Sequence, residues 1–267
     1  MAKKILFINQ EVSPYVGESE LSLAGLSIPQ RCIEEGLELR TFMPKWGNIN
    51  ERRGQLHEVI RLSGMNLIIN DTDHPLIIKV ATVQPAKVQV YFIDNEDYFS
   101  NRLMGQDADG NDYDDNGERA VFYARGVLET VKKLRWVPDI IHCQGWMSAL
   151  VPMYVKIAYH DEPSFRDAKV VTSLFNKGFS ATLSPDFKQS VMFRDINEDI
   201  IGKYNDIVDF DELNKMAIDY SDAVIEAGSN VEAELLGYAA ERNIPILRKS
   251  DDNFANKCLD FYTQWDK

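Results

Sequence analysis

Histidine, cysteine, glutamine and tryptophan fall together in His142-Cys143-Gln144-Gly145-Trp146, directly after a short apolar run. An imidazole there can serve as an acid, a base or a hydrogen-bond group near neutral pH. A carboxamide and an indole suit a sugar, one bonding hydroxyls and the other offering a flat face. The competing readings are structural: a histidine packed inside its strand, and a tryptophan packed at the start of a helix. Cys143 lacks a paired base, because neighbouring strand residues face opposite sides and His142 points away from it.

Two acidic segments raise other chemistries. Gln10–Glu20 reads QEVSPYVGESE, with one glycine and no lysine. A phosphate cradle uses glycines, so that backbone N–H groups can approach, and often a lysine. A carboxylate at that distance repels phosphate. The plainer reading is an acidic helix start, with Glu18 and Glu20 favourable to the helix dipole. Asp107–Glu118 has acids at positions 1 and 3, Asn at 5 and Glu at 12 of a calcium-type loop, but Asp112 stands where glycine is wanted. The alternative is a solvated loop capping the next helix. No G-x-S-x-G, H-E-x-x-H or phosphate-binding loop motif occurs. No metal and no cofactor is expected.

The elements that must position these residues alternate between strand and helix. Lys4–Asn9 is an apolar run of strand length, suited to a sheet buried on both faces. Glu20–Glu35 carries an imperfect helical stripe, with Pro29 inside it predicting a break or kink and Gly36 as a stop. Leu37–Met43 reads as a second strand, giving a β-α-β opening. Within 55–94, His57–Leu62, Met65–Ile69, Leu76–Val83 and Val88–Ile93 read as strands, with turns at Ser63-Gly64 and Asp71–Pro75. Glu118–Leu134 is a helix, Pro138–Cys143 a strand, Trp146–Tyr159 a helix and Ala168–Leu174 a strand. A long irregular stretch, 175–209, has the length of a functional loop. A helix over Phe210–Tyr220, a strand over Ala223–Ala227 and a helix over Val231–Arg242 follow. The expected fold is α/β: one Rossmann-like domain over 1–249, with a mostly parallel sheet, helices on both faces and a β-rich insertion at about 55–94. A tail over 250–267, with Phe254, Leu259, Phe261, Tyr262 and Trp265, is expected to be helical and packed back on the domain.

Composition narrows the partners. The 267 residues carry 29 basic and 42 acidic side chains, a net charge of −13. Phosphate binding needs a basic face, so nucleic acid and anionic membrane are not expected. Cys32, Cys143 and Cys258 are odd in number and far apart, and no C-x-x-C occurs. No apolar run approaches the ~20 residues of a membrane helix. The opening residues lack the apolar stretch of a secretion signal. A reduced, cytoplasmic protein is the expectation.

Fragments in a fixed order point further. They are Lys4–Asn9 with Gln10-Glu11-Val12-Ser13-Pro14-Tyr15, Phe42–Gly47, Val90–Asn95, Tyr98-Phe99 and Asp115-Asn116-Gly117-Glu118-Arg119. Pro138–Cys143 with Trp146, Ala149–Pro152 and Tyr220–Val224 complete the set. Over roughly 3–240 the chain resembles the N-terminal half of bacterial glycogen and starch synthases, glycosyltransferase family 5. The resemblance implies half of a GT-B fold, two Rossmann-like domains facing across a cleft. It also implies glucosyl transfer from ADP-glucose to an α-1,4-glucan, with no metal. The N-terminal half would handle the acceptor, and the absent second half most of the nucleotide.

The chain departs from that pattern where the chemistry lies. The family's Lys-Thr-Gly-Gly-Leu donor loop falls on Gly17-Glu18-Ser19-Glu20-Leu21, so that Glu20 faces the expected diphosphate. Its His-Asp-Trp-His falls on Gln144-Gly145-Trp146-Met147, and its His-Asn on Phe175-Asn176. The resemblance therefore implies a synthase-like protein that is not catalytic alone, with a glucan-binding or regulatory role. The alternatives are a transferase completed by a separate partner or a dimer, and an interaction module with no carbohydrate ligand. The face a second domain would cover is where a homodimer or protein partner would dock. His142, Gln144, Trp146 and Asn176 are expected to line the cleft, with Glu11 and Tyr15 at its rim.

Overall fold

The computed structural model describes residues 2–249 and 253–265, the side chain of Trp265 excepted. Ten strands are present among them: β1 (Lys4–Asn9), β2 (Glu38–Pro44), β3 (His57–Glu58), β4 (Met65–Ile69), β5 (Thr72–Val83), β6 (Val88–Asp94), β7 (Ile140–Gln144), β8 (Lys169–Leu174), β9 (Ala223–Glu226) and β10 (Ile246–Leu247). The helices are α1 (Glu20–Glu34), α2 (Glu51–Gly54), α3 (Asn116–Leu134), α4 (Val151–Met153), α5 (Phe187–Val191), α6 (Glu198–Ile201), α7 (Phe210–Asp219), α8 (Ala233–Glu241) and α9 (Phe254–Tyr262).

The sheet order is β10-β9-β8-β7-β1-β2-β6-β5-β3, with β4 paired to β5. From β10 to β6 every pairing is parallel. The strands β3, β4 and β5 add an antiparallel margin beyond β6. This is the mostly parallel, Rossmann-like sheet that the sequence predicts. Alternate residues of β1 divide between two cores. Leu6 and Ile8 face α3, α7 and α8, whereas Ile5 and Phe7 face α1 and α9. Both faces are buried, which is why the central strands read as unbroken apolar runs.

Local chemistry explains where prediction and structure part. The predicted break at Pro29 does not occur, since α1 runs on to Glu34. Proline lacks the N–H that would bond the carbonyl of Gly25. The Asn9 side chain donates to that carbonyl instead, at 3.4 Å. The insertion's turn falls at Asn70-Asp71, not across Asp71–Pro75. Both residues have positive φ, 48° and 61°, as a two-residue hairpin turn requires. Pro75 then lies within β5, short of Ile77, where the pairing with β6 begins. The predicted helix over Trp146–Tyr159 is three pieces: a 3-10 turn at Trp146–Ser148, then α4, then a π turn at Tyr154–Ala158. Pro152 sits in the first turn of α4, the position where its missing N–H costs least. The strand predicted over His57–Leu62 contracts to His57–Glu58.

Helix α1 lies hard against the chain leaving β1. A Cβ at Gly25 would sit 2.2 Å from the backbone oxygen of Glu11. Backbone cannot swing aside as a long side chain can. Gly25→Ala is expected to destabilise the fold by about 1–3 kcal/mol. Urea unfolding measures it, and an unchanged midpoint would contradict the close approach.

Candidate functional site

A cleft of about 310 Å³ opens at the carboxyl ends of β1, β7 and β8. That is where open parallel sheets place ligands. Gln10 and Glu11 follow β1, Gly145 and Trp146 follow β7, Ser173 lies near the end of β8, and Phe175 to Gly178 follow it. The first turn of α1 contributes Ser19, Glu20 and Leu21, and α7 contributes Phe210 and Asn214 one turn apart. A groove of about 370 Å³ shares Gln10, Met104, Trp146 and Gly178, and runs on past Asn48, Gln106 and Asp107.

Each wall is fixed by identifiable bonds. The Gln10 N–H bonds the carbonyl of Gln144 at 2.9 Å. Trp46 Nε1 donates to the carbonyl of Gln10 at 2.9 Å, and the Tyr123 hydroxyl to that of Asn9 at 2.7 Å. Gly145, at φ 84°, makes the turn out of β7; a Cβ there would meet Gln10 at 2.7 Å and Leu21 at 2.8 Å. The Met104 wall hangs from the first turn of α3. Arg119, fully buried, donates to the carbonyls of Tyr98 and Leu103, and Asn116 to that of Gly105. Burial lowers the Arg119 guanidinium to about 10.

Four carboxylates of the acidic loop serve structure. Asp107 accepts the N–H groups of Asp109 and Asn111, both at 2.9 Å. Asp112 accepts those of Ser180 and Ala181, which ties the two sides of the groove together. Asp115 pairs with Arg102, and Glu118 accepts from Tyr98. Among the described residues no group of three or more His, Cys, Asp and Glu side chains could hold a metal ion.

The expected site residues scatter. Glu11, Trp146 and Asn176 line the cleft together. Trp146 is only 3% exposed and packs edge-on against Phe179 at 5.1 Å, so it forms a wall and not an open stacking face. Tyr15 lies apart, edge-on to Phe92 at 4.9 Å and lining a separate cavity of about 230 Å³ with Asn48, Asn50 and Arg53. Gln144 is fully buried, and neither amide atom has a partner among the described residues. His142 does not line the cleft. Its register with Phe7 turns it to the α1–α9 side, where it is fully buried and bonded to Ser173 and Tyr262. Burial lowers its imidazole to about 3. Met147 is fully buried in the opposite core, and Phe175 stands in the cleft wall.

Sequence reasoning missed Gln10, Ser19, Ser173, Lys177, Phe210 and Asn214. Ser19 alone had a local signal, a serine three residues before Ser22. It caps α1 by accepting the Ser22 N–H at 2.9 Å, while Ser22 reciprocates.

Two carboxylates face the cleft in opposite circumstances. Glu20 sits at the start of α1 and accepts the Ser229 N–H at 2.9 Å, the Ser229 hydroxyl, the Asn176 amide at 3.4 Å and the Lys249 ammonium. Partial burial opposes its charge, but the bonds from Lys249 and Ser229 prevail and bring it down to about 2. Glu11 is raised by burial, which the bonds from Ser19 at 2.6 Å and from Gln10 offset only in part. A carboxyl with a raised folded pKa stabilises below the unfolded range and loses that stabilisation as pH rises through the folded value. Glu11→Gln, which keeps an acceptor for Ser19, is therefore expected to be more stable than the parent at pH 7. The difference should vanish at about pH 3, below the free glutamate value of about 4.3. Urea unfolding at the two pH values checks this; a gap independent of pH would contradict it.

Comparison with known proteins places this geometry. The family model for the starch synthase catalytic domain matches residues 4–244. The glycogen synthase of Chlorobium limicola is 36% identical over 237 residues, covering 85% of this chain and 48% of that protein. That of Chlorobium phaeovibrioides is 35% identical over 254 residues, covering 91% and 51%. The catalytic domain of starch synthase IV from Arabidopsis thaliana, solved bound to ADP and acarbose, superposes with a TM-score of 0.72 at 18% identity, over 93% of this chain and 51% of that one. The chain thus spans about half the length of the relatives it matches. With the match running from β1 to the end of α8, the chain belongs to the family of the starch synthase catalytic domain.

Proposed function

We propose that this chain binds the end of an α-glucan in its cleft and does not by itself transfer glucose from a sugar nucleotide. The observation that carries the reading is the Glu20 corner. Lys249, the Ser229 N–H and the Asn176 amide are donors suited to a phosphate, and all three are turned onto a carboxylate of the chain itself. A diphosphate entering there meets a like charge and donors already engaged.

Much of the remaining lining suits a hydroxyl-rich ligand. Gln10, Ser173 and Asn214 are uncharged hydrogen-bonding groups, set among Trp146, Phe175 and Phe210, with Lys177 as a cation beside them. Mixed polar and aromatic walls of this kind bind sugars by hydrogen bonds at the edges and apolar contact at the faces. Lowering a transfer barrier calls for donors aimed at developing charge. Met147 and Phe175, where the resemblance implies histidines, provide none.

Calorimetric titration with maltoheptaose, ADP and ADP-glucose tests the reading, alongside an assay of labelled glucose incorporation into glycogen. Maltoheptaose is expected to bind, ADP and ADP-glucose are not, and incorporation should be absent. Glu20→Gln removes the charge and is expected to gain measurable ADP binding through Lys249. Binding of ADP-glucose to the unsubstituted chain, or sustained incorporation by it, would overturn the proposal.

A further inference from the structure

Beneath the cleft, three side chains from distant parts of the sequence form one hydrogen-bonded row. The Tyr262 hydroxyl of α9 lies 2.6 Å from His142 Nδ1, and His142 Nε2 lies 2.7 Å from Ser173 Oγ. Tyr262 and His142 are buried at 1% and 0% exposure, while Ser173, at the other end of the row, lines the cleft. Neither hydroxyl has a second partner among the described residues.

Counting hydrogens gives the row a direction. A neutral imidazole carries one N–H, and each hydroxyl carries one O–H. Three hydrogens are shared between two contacts, so one is left over. The ring is neutral, because burial holds its pKa far below the working range. If the surplus hydrogen stood at Tyr262, it would point into the apolar core around Phe7 and Cys258, where the described residues offer no acceptor stronger than a thiol. An unmade bond in such a place is costly. At the Ser173 end the surplus hydrogen reaches the cleft. Tyr262 therefore donates to Nδ1, the ring carries its hydrogen on Nε2 and donates it to Ser173, and Ser173 Oγ–H is left free to donate.

We propose that Ser173 is a ligand-binding hydroxyl at the floor of the cleft, held as a donor toward an acceptor oxygen of a neutral ligand by His142 and Tyr262 acting as positioning residues. Gln144 lies beside this floor, behind the residues that line it. It is the register partner of Ser173 on β7, and its fully buried amide leaves a donor and an acceptor unused among the described residues. The identity of the ligand rests on the glucan reading above; the direction of the row does not.

Two measurements separate the parts. In the first, nitrogen NMR of histidine-labelled protein reports the ring form, with the His142 signal assigned by its loss in His142→Gln. The expected result is hydrogen on Nε2 and a bare, accepting Nδ1, unchanged from pH 5 to pH 9. Hydrogen on Nδ1 would overturn the proposal whatever the ligand. The second is calorimetric titration with maltoheptaose. Ser173→Ala is expected to weaken binding about tenfold, the usual effect of one lost hydrogen bond. Ser173→Thr, which keeps the hydroxyl, should restore it. Equal affinity for the parent and Ser173→Ala would overturn the subsite. Tyr262→Phe is expected to leave the ring in a mixture of forms, with a smaller loss of affinity. If the parent chain takes up no maltoheptaose, the glucan reading fails and the subsite falls with it, while the NMR spectrum still decides the direction of the row.

Discussion

The contact between the backbone of Glu11 and helix α1 at Gly25 sets the geometry of everything above the sheet. With no side chain between them, α1 lies against the segment leaving β1, and its first turn is carried to the cleft. Ser19 then reaches the Glu11 carboxylate, and Glu20 reaches across to Ser229 and Lys249. Asn9 makes the arrangement compatible with Pro29 by taking up the carbonyl that the proline leaves unbonded. A larger residue at position 25 would push the helix away and separate all of these pairs at once.

The chemistry of the cleft follows from how its two carboxylates are treated. Glu11 is sheltered and holds its proton more tightly than an ordinary glutamate, whereas Glu20 is saturated with donors and gives its proton up readily. Lys249 is turned onto the Glu20 carboxylate, a negative charge that the chain supplies itself. Amides, hydroxyls and aromatic edges line the rest of the cleft, together with the exposed Lys177. The scaffold around it is that of the starch synthase catalytic domain.

The sheet was largely legible in the residues, because strands buried on both faces leave continuous apolar runs with little competition from other patterns. Places where a side chain substitutes for a backbone bond were not legible. Pro29 predicts a break only until Asn9, remote in sequence, is known to lie beside Gly25. The site was read in part. Glu11, Trp146 and Asn176 follow strand ends, where position alone is informative. His142 lies one strand residue too early, and alternation turns it into the core with Phe7. Ser173 carries no local signal at all; its role emerges only when β7, β8 and α9 are assembled around it. Lys249 is equally silent, since its partner lies 229 residues earlier.

The docking of α9 has a consequence for biosynthesis. Tyr262 emerges from the ribosome 120 residues after His142, the ring that it completes. Chains fold as they are made, N-terminal parts first. Through that interval Phe7, Ile28 and Cys32 lack the cover that Cys258 and Phe261 later bring. The growing polypeptide thus carries an unfinished apolar flank until translation has passed α9, and that flank is open to capture by chaperones.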